Sequence, residues 1–373
     1  MSSSTALVAI SKKGAELALA LSGLTGKQTV FLERRWHVAG QGYQAFDLPL
    51  RPLIQRLFDE YQRLVLFMPV GAAVRLLAPY VQDKHDDPAV VCVDDAGRFA
   101  VSLLSGHLGG ADALAQEVAQ LLGATPVVTS ASHVTDTLAV DLLGQEFGWV
   151  IDAPALTVTR VSAAVVNGEP VGVYQQTGEP DWWPEDRPLP QNIIRCSDPE
   201  EFAAVPGDAA LIISDSLNIV ESEDQPLEQV LKRKHLVVYR PRSLVIGMGC
   251  RRGVPLEELE ELLLATLRRH NLAPGSVSCL ATAELKQDEI GIIELAAKYE
   301  VPLVCYSGEE LNQVFQSSGG AATPSATAHK LLGIWGVSEP AALLASGSQQ
   351  LLVPREKTAR ATIAIARRNF DSR

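Results

Sequence analysis

Ser105, Gly106, His107, Gly109 and Gly110 stand together in LLSGHLGGAD, residues 103–112. Imidazole titrates near neutrality, so His107 has the chemistry of a general acid or base. It could equally ligate a metal carried by a substrate, or simply bond the backbone of its own loop. The three glycines expose backbone N–H groups just before a helical pattern, a suitable place for a carboxylate or phosphate. Plain turn geometry explains them as well. Ser105 suits a carboxylate contact or the start of that helix. Arg75, Lys84 and Arg98 supply cations near this stretch for an acidic ligand. Any one of them is equally explained by a surface ion pair, and Arg75 could instead pin its own helix.

A second group lies near the other end of the chain. Gly249-Cys250-Arg251-Arg252-Gly253 joins a strand pattern to a helix, and paired arginines there suit a carboxylate, with a solvated pair as the alternative. Glu284, Lys286, Asp288 and Glu289 follow another strand. Glu284 and Glu289 are candidate carboxylates for acid–base work, and Lys286 is the better candidate for a substrate contact. Asp288 and Glu289 are alternatively explained by the dipole of the following helix. Cys250 reads as a small buried residue, not a nucleophile.

These groups need a scaffold to aim them. Apolar runs at residues 6–10, 64–68, 90–93, 99–104 and 125–129 read as strands. Helical spacing recurs at 14–21, 71–80 and 111–122. Residues 94–97, DDAG, form a turn between two of these strands. The alternation predicts an α/β fold with a mainly parallel sheet. Ligands in such sheets bind beyond the strand C-termini, so residues 11–14, 69–72 and 105–110 are expected on one rim. From residue 243 a second strand–helix alternation begins. Pro255 opens a long amphipathic helix, and strands close the chain at 350–353 and 362–366. The stretch between is rich in Pro, Gly and acidic residues. The expected architecture is therefore two α/β domains, 1–145 and 243–373, joined by a smaller, more divergent module at 146–242. Trp182 and Trp183 in that module are explained by packing or by covering a flat ligand.

The chain has 373 residues and a formal charge of −12. Residues 1–150 carry 11 basic against 15 acidic groups, 151–242 carry 8 against 15, and 243–373 carry 13 against 14. No segment is basic, which argues against nucleic acid as a partner. No apolar run is long enough to span a bilayer. The first residues, MSSSTALVAISKKG, lack the pattern of a signal peptide, and the five cysteines are scattered without a CxxC pair. A reduced, cytoplasmic protein is expected, with no membrane partner and no cysteine metal site.

The chain resembles the cobalt-precorrin-5A hydrolases of anaerobic cobalamin biosynthesis. VGAAVRLLAP at 70–79 and DKHDDPAVVCVDDAGRFAVSLLSGHLGGADALA at 83–115 carry one half of the match. GMGCRRG at 247–253, ATAELKQDEIGIIELA at 281–296, SEPAALLASG at 338–347 and TIAIAR at 362–367 carry the other. Arg355 stands where the resemblance would have a lysine. The last segment also resembles a stand-alone protein of the aerobic pathway. The family implies opening of the ring A δ-lactone of cobalt-precorrin-5A, then loss of acetaldehyde to leave cobalt-precorrin-5B. Cobalt arrives with the substrate, so no cofactor of the protein's own is expected. The tetrapyrrole carries several carboxylates, and a basic cleft between the outer segments is the expected site, with neighbouring pathway enzymes as further candidate partners. The alternative is a carrier that binds a corrin intermediate without breaking bonds. A nucleotide enzyme is disfavoured, because no GxGxxG follows the first strand.

Overall fold

The computed structural model describes residues 4–25, 28–36, 43–83, 86–106, 109–129, 137–184, 187–219, 235–317, 322–325, 329–330 and 333–370. The chain divides into two compact units, Met1–Leu142 and Leu143–Arg373. The second holds both the expected middle module and the last segment.

The first unit is built on a seven-stranded sheet in the order β3-β2-β1-β4-β5-β6-β7. Its strands are β1 (Thr5–Ala9), β2 (Thr29–Glu33), β3 (Gln44–Phe46), β4 (Arg63–Phe67), β5 (Ala89–Val93), β6 (Phe99–Leu104) and β7 (Thr125–Val127). The central strands are apolar on both faces, as strands covered on both sides must be. Leu7, Ala9, Val65, Phe67, Val91 and Val93 pack one way, under α1 (Lys12–Thr25) and α4 (Ala111–Leu122). Ala6, Val8, Leu64, Leu66, Val90 and Cys92 pack the other way, under α2 (Arg51–Glu60) and α3 (Val70–Leu77). Period-two alternation thus builds two cores from one set of strands.

β1 to β5 run parallel, but β6 does not. Val93 faces Ala100 and Val90 faces Leu104, so β6 returns antiparallel along β5, and β7 follows β6. The Asp94–Phe99 turn causes the reversal. Asp94 Oδ1 accepts the amides of Arg98 and Phe99, both at 2.8 Å.

Two five-stranded sheets form the second unit. One has the order β10-β9-β11-β12-β8, from β8 (Val150–Asp152), β9 (Val171–Gln175), β10 (Ile193–Cys196), β11 (Ala209–Ile213) and β12 (His235–Arg240). It is parallel except for β8. α5 (Ala155–Val166) and α6 (Pro199–Ala204) pack on it. Trp182 is buried here, donating Nε1 to Gln175 Oε1 at 2.9 Å, and Trp183 donates to the Arg187 carbonyl. Both indoles pack within their own module.

The last sheet has the order β15-β14-β13-β17-β16. Its strands are β13 (Leu244–Cys250), β14 (Val277–Ala283), β15 (Leu303–Tyr306), β16 (Leu351–Lys357) and β17 (Ala361–Arg367), with β16 and β17 antiparallel to their neighbours. Leu244, Ile246 and Met248 face α7 (Leu256–Arg269) and α8 (Ile290–Lys298). α9 (Gly308–Ser317) and α10 (Ser338–Ser346) cover the other face. The β13 residues on that face include Gly247, where a Cβ would lie 1.8 Å from the Ser338 carbonyl oxygen. Only glycine lets the start of α10 press so close to the sheet.

The two sheets of this unit are locked together. Asp215, buried after β11, accepts Ser243 Oγ at 2.7 Å and both Nε and Nη2 of Arg367 at 2.8 and 3.0 Å. Leu217 N donates to the Asn271 carbonyl at 2.8 Å, and Asn218 N to Asn271 Oδ1 at 2.7 Å.

Candidate functional site

In the last sheet the parallel strands β13, β14 and β15 all end on one rim. The antiparallel hairpin β16–β17 brings its turn to the same rim, because Cys250 pairs with Ala361. Loops from four strands therefore meet at one edge, beside the start of α10. The loops after β13 and β14, the β16–β17 turn and the start of α10 line a cleft of about 470 Å³. Arg251, Lys286, Arg355, Lys357 and Arg360 all line it.

The cations differ in their commitments. Arg360 donates to Glu258 at 3.0 Å and to the Gly253 carbonyl at 2.9 Å. Arg355 donates its amide to Glu339 Oε1 at 3.0 Å and Nη1 to the Thr323 carbonyl at 3.3 Å. Buried Glu339 also accepts Thr323 N at 2.7 Å, so this carboxylate is occupied in holding backbone. The side chains of Arg251 and Lys357 make no hydrogen bond or ion pair among the described residues. Two uncommitted cations on a concave rim suit an anionic ligand.

Lys286 is nearly buried, at 9 % exposure, yet it lines the cleft. Its Nζ lies 3.5 Å from Glu289 Oε2. The other oxygen, Oε1, accepts the Gly253 amide at 2.5 Å. Glu289 thus ties the loop after β13 to the loop after β14 and holds a counter-charge behind Lys286. The Cys250 thiol is pushed up to about 11 by burial, which outweighs the pull of Lys286, Arg252 and Arg360, so it stays protonated.

The other residues expected in this segment lie elsewhere on it. Arg252 is not among the residues that line the cleft. Its Nη1 donates to Asp288 Oδ1 at 2.7 Å and Nη2 to the Leu285 carbonyl at 3.2 Å, on an exposed loop. Glu284 is exposed at the start of a 3₁₀ turn, next to the cleft-lining Ala283 and Leu285. Sequence reasoning missed Lys357 and Arg360 and gave Arg355 no role. The signal was present in PREKTAR, a basic run around a turn between two strands.

The first unit distributes its candidates over both rims of its sheet. Residues 11–14 and 69–72 follow β1 and β4, and Ser11 Oγ donates to Asp95 Oδ1 at 2.6 Å on that edge. The expectation that residues 105–110 share this edge is corrected. β6 runs antiparallel, so the loop emerges at the opposite edge, where Ser105 Oγ donates to the Asp87 carbonyl at 2.9 Å. Arg98 stays at the hairpin turn, 3.7 Å from Asp94, and is not brought to the glycine loop. Arg75 donates to the Gly71 carbonyl one helical turn back, at 2.8 Å. His107 and Lys84 lie outside the described residues.

The glycine loop is tightly constrained. Ser105 has φ 56° and Gly110, the residue before α4, has φ 82°. A Cβ on Gly109 would lie 2.4 Å from Ser105 Cβ, and one on Gly106 2.7 Å from Asp112 Oδ1. Asp112 is buried and accepts Ser102 Oγ at 2.6 Å. Two other hollows lack the concentration of positive charge seen on the last rim. One of about 230 Å³ in the first unit pairs Arg63 with Glu117 among its described lining residues. One of about 600 Å³ beside α7 mixes Glu258, Glu261 and Glu356 with Arg269 and Lys357. Among the described residues, no group of three or more His, Cys, Asp or Glu side chains could hold a metal ion, and no helix is long and apolar enough to cross a membrane.

Family models cover most of the chain: "Cobalamin synthesis G N-terminal" matches residues 52–133, "Cobalamin biosynthesis central region" 138–241 and "Cobalamin synthesis G C-terminus" 244–366. A protein of Priestia megaterium named cobalt-precorrin-5A hydrolase is 40 % identical over 98 % of this chain and 95 % of its own length. The chain belongs to the cobalamin synthesis G family. A second relative of that name, from Salmonella typhimurium, is 33 % identical over 93 % of each chain. Protein CobE of a Sinorhizobium species is 32 % identical over 33 % of this chain and 79 % of its own length. The cationic cleft lies within the region matched by the C-terminal model of the cobalamin synthesis G family.

Proposed function

We propose that this chain is a cobalt-precorrin-5A hydrolase that opens the ring A δ-lactone, releases acetaldehyde and leaves cobalt-precorrin-5B. The observation that carries the reading is the rim cleft with Arg251, Lys286, Arg355, Lys357 and Arg360 on its walls. A tetrapyrrole with several carboxylates needs such a surface, and the chain as a whole is too acidic to offer one by composition. The cobalt belongs to the substrate.

In this reading water adds to the lactone carbonyl as a general base takes its proton. The developing oxyanion is stabilised by fixed positive charge, for which nearly buried Lys286 is suited. Collapse yields a carboxylate and an alcohol on the former meso carbon. Loss of the alcohol proton drives cleavage of the adjacent carbon–carbon bond. The alcohol carbon leaves as acetaldehyde, and the bonding electron pair passes into the macrocycle. Glu284 is the exposed carboxylate at this rim available as base, and His107 is the candidate in the first unit. Glu289, committed to Gly253 and Lys286, acts as a positioning residue.

Anaerobic incubation with cobalt-precorrin-5A, followed by trapping of acetaldehyde, tests this. One acetaldehyde per substrate consumed is the expected result. A second reading, a non-catalytic corrin carrier, is favoured by one observation: the cleft lies in the family's C-terminal region, and a stand-alone protein resembles about a third of this chain. Tight binding without acetaldehyde would support the carrier and overturn the hydrolase.

A further inference from the structure

The cationic cleft has an apolar lip. Leu285 lines the cleft and is 51 % exposed. Ile290, the first residue of α8, is 68 % exposed, and Ile293, one turn on, is 43 % exposed. Side chains at i and i+3 share a helix face, so these isoleucines form one outward stripe beside the turn that carries Leu285. The surrounding exposed positions are charged or polar: Glu284, Gln287, Asp288 and Glu294. Exposed aliphatic groups that follow a cleft-lining residue in sequence are suited to an apolar part of the same ligand.

Cations alone would suit any polyanion. Cations bordered by an aliphatic shelf suit a ligand with a broad apolar body and acidic arms. Leu285 lines the cleft and stands on the turn that leads, five residues on, to Ile290 at the start of α8. We propose that Leu285 and Ile290, with Ile293 behind them, form the shelf on which the apolar face of the macrocycle lies while its carboxylates reach Arg251 and Lys357. The shelf rests on the tetrapyrrole reading above, and its residues discriminate a macrocycle from a simple polyacid.

The test uses the full chain and uroporphyrin I, a stable, flat, polycarboxylated macrocycle, followed by fluorescence anisotropy. Leu285→Asn and Ile290→Asn are the variants, and circular dichroism checks that each is folded. Both positions are exposed, so the core is untouched. Each variant is expected to weaken uroporphyrin binding by about tenfold, the loss that follows from uncovering one aliphatic side chain. Citrate, which has carboxylates but no macrocycle, is expected to compete with an unchanged inhibition constant. Wild-type affinity in both variants, or no uroporphyrin binding by the wild type, overturns the shelf. The acetaldehyde assay separates the two readings. Absent acetaldehyde with lip-dependent binding removes the hydrolase and keeps the shelf. Normal turnover with lip-independent binding does the reverse.

Discussion

Glu289 and Lys286 sit 3.5 Å apart behind the cleft, with the other Glu289 oxygen bound to the Gly253 amide at 2.5 Å. The pair couples two rim loops and places a carboxylate beside a nearly buried lysine. Glu289→Gln keeps an acceptor for Gly253 but removes the counter-charge. We expect kcat/KM for cobalt-precorrin-5A to fall about tenfold, as when a supporting partner is removed, with the shape of the pH–rate profile kept. Complete loss of turnover together with loss of the acidic limb would make Glu289 the base.

Gly247→Ala tests the close approach of α10. Its Cβ would lie 1.8 Å from the Ser338 carbonyl oxygen, and backbone cannot rotate away as a side chain can. Overpacking of this kind costs about 3 kcal/mol. Denaturant unfolding should show that loss, and ligand affinity should fall with it, because α10 carries the cleft-lining Ser338.

Asp215 is the electrostatic keystone between the two sheets of the second unit. Asp215→Ala removes the acceptor of Ser243 and Arg367. Breaking a buried pair costs about 3–5 kcal/mol, and the low end applies because Arg367 is 42 % exposed and can be rehydrated. Differential scanning calorimetry should show a lower or split transition. An unchanged thermogram would mean that the junction is held by other groups.

Acid should loosen the junction of β16 and α7. Burial raises the Glu356 carboxyl, but hydrogen bonds from His270, Arg269 and Thr266 outweigh it and hold it below its ordinary range. A carboxylate depressed in the folded state adds stability above its unfolded pKa of about 4.3, and that stability is lost as pH falls through the folded value. The melting temperature should therefore drop below about pH 4 more steeply for wild type than for Glu356→Gln.

Much of this architecture was legible in the chain, and the gaps have physical causes. The apolar runs of β1, β4, β5 and β13 identify themselves because strands covered on both faces must be apolar throughout. The α/β class followed from them. The DDAG turn was legible too, but placing residues 105–110 on the rim of Ser11 overlooks its geometry: a short turn between two strands sends the second one back. That reversal carries Ser105, Gly106, Gly109 and Gly110 to the far edge from Ser11. Arg251 and Lys286 were readable because they follow strands. Lys357 and Arg360 were harder, since they reach the same rim only through an antiparallel hairpin pairing Cys250 with Ala361. The partner of Arg252 was not visible either, because Asp288 meets it through the fold and not through spacing.

The most direct test is the affinity of cobalt-precorrin-5A for the wild type and for the Arg251→Ala/Lys357→Ala double variant. Binding is read anaerobically from the absorbance of the corrinoid. Neither side chain has a partner among the described residues, so the fold should be unaffected. The expected result is affinity weakened about a hundredfold, roughly tenfold for each charge-assisted hydrogen bond removed. Equal affinity in the two proteins would place the substrate elsewhere and contradict a binding site on this rim.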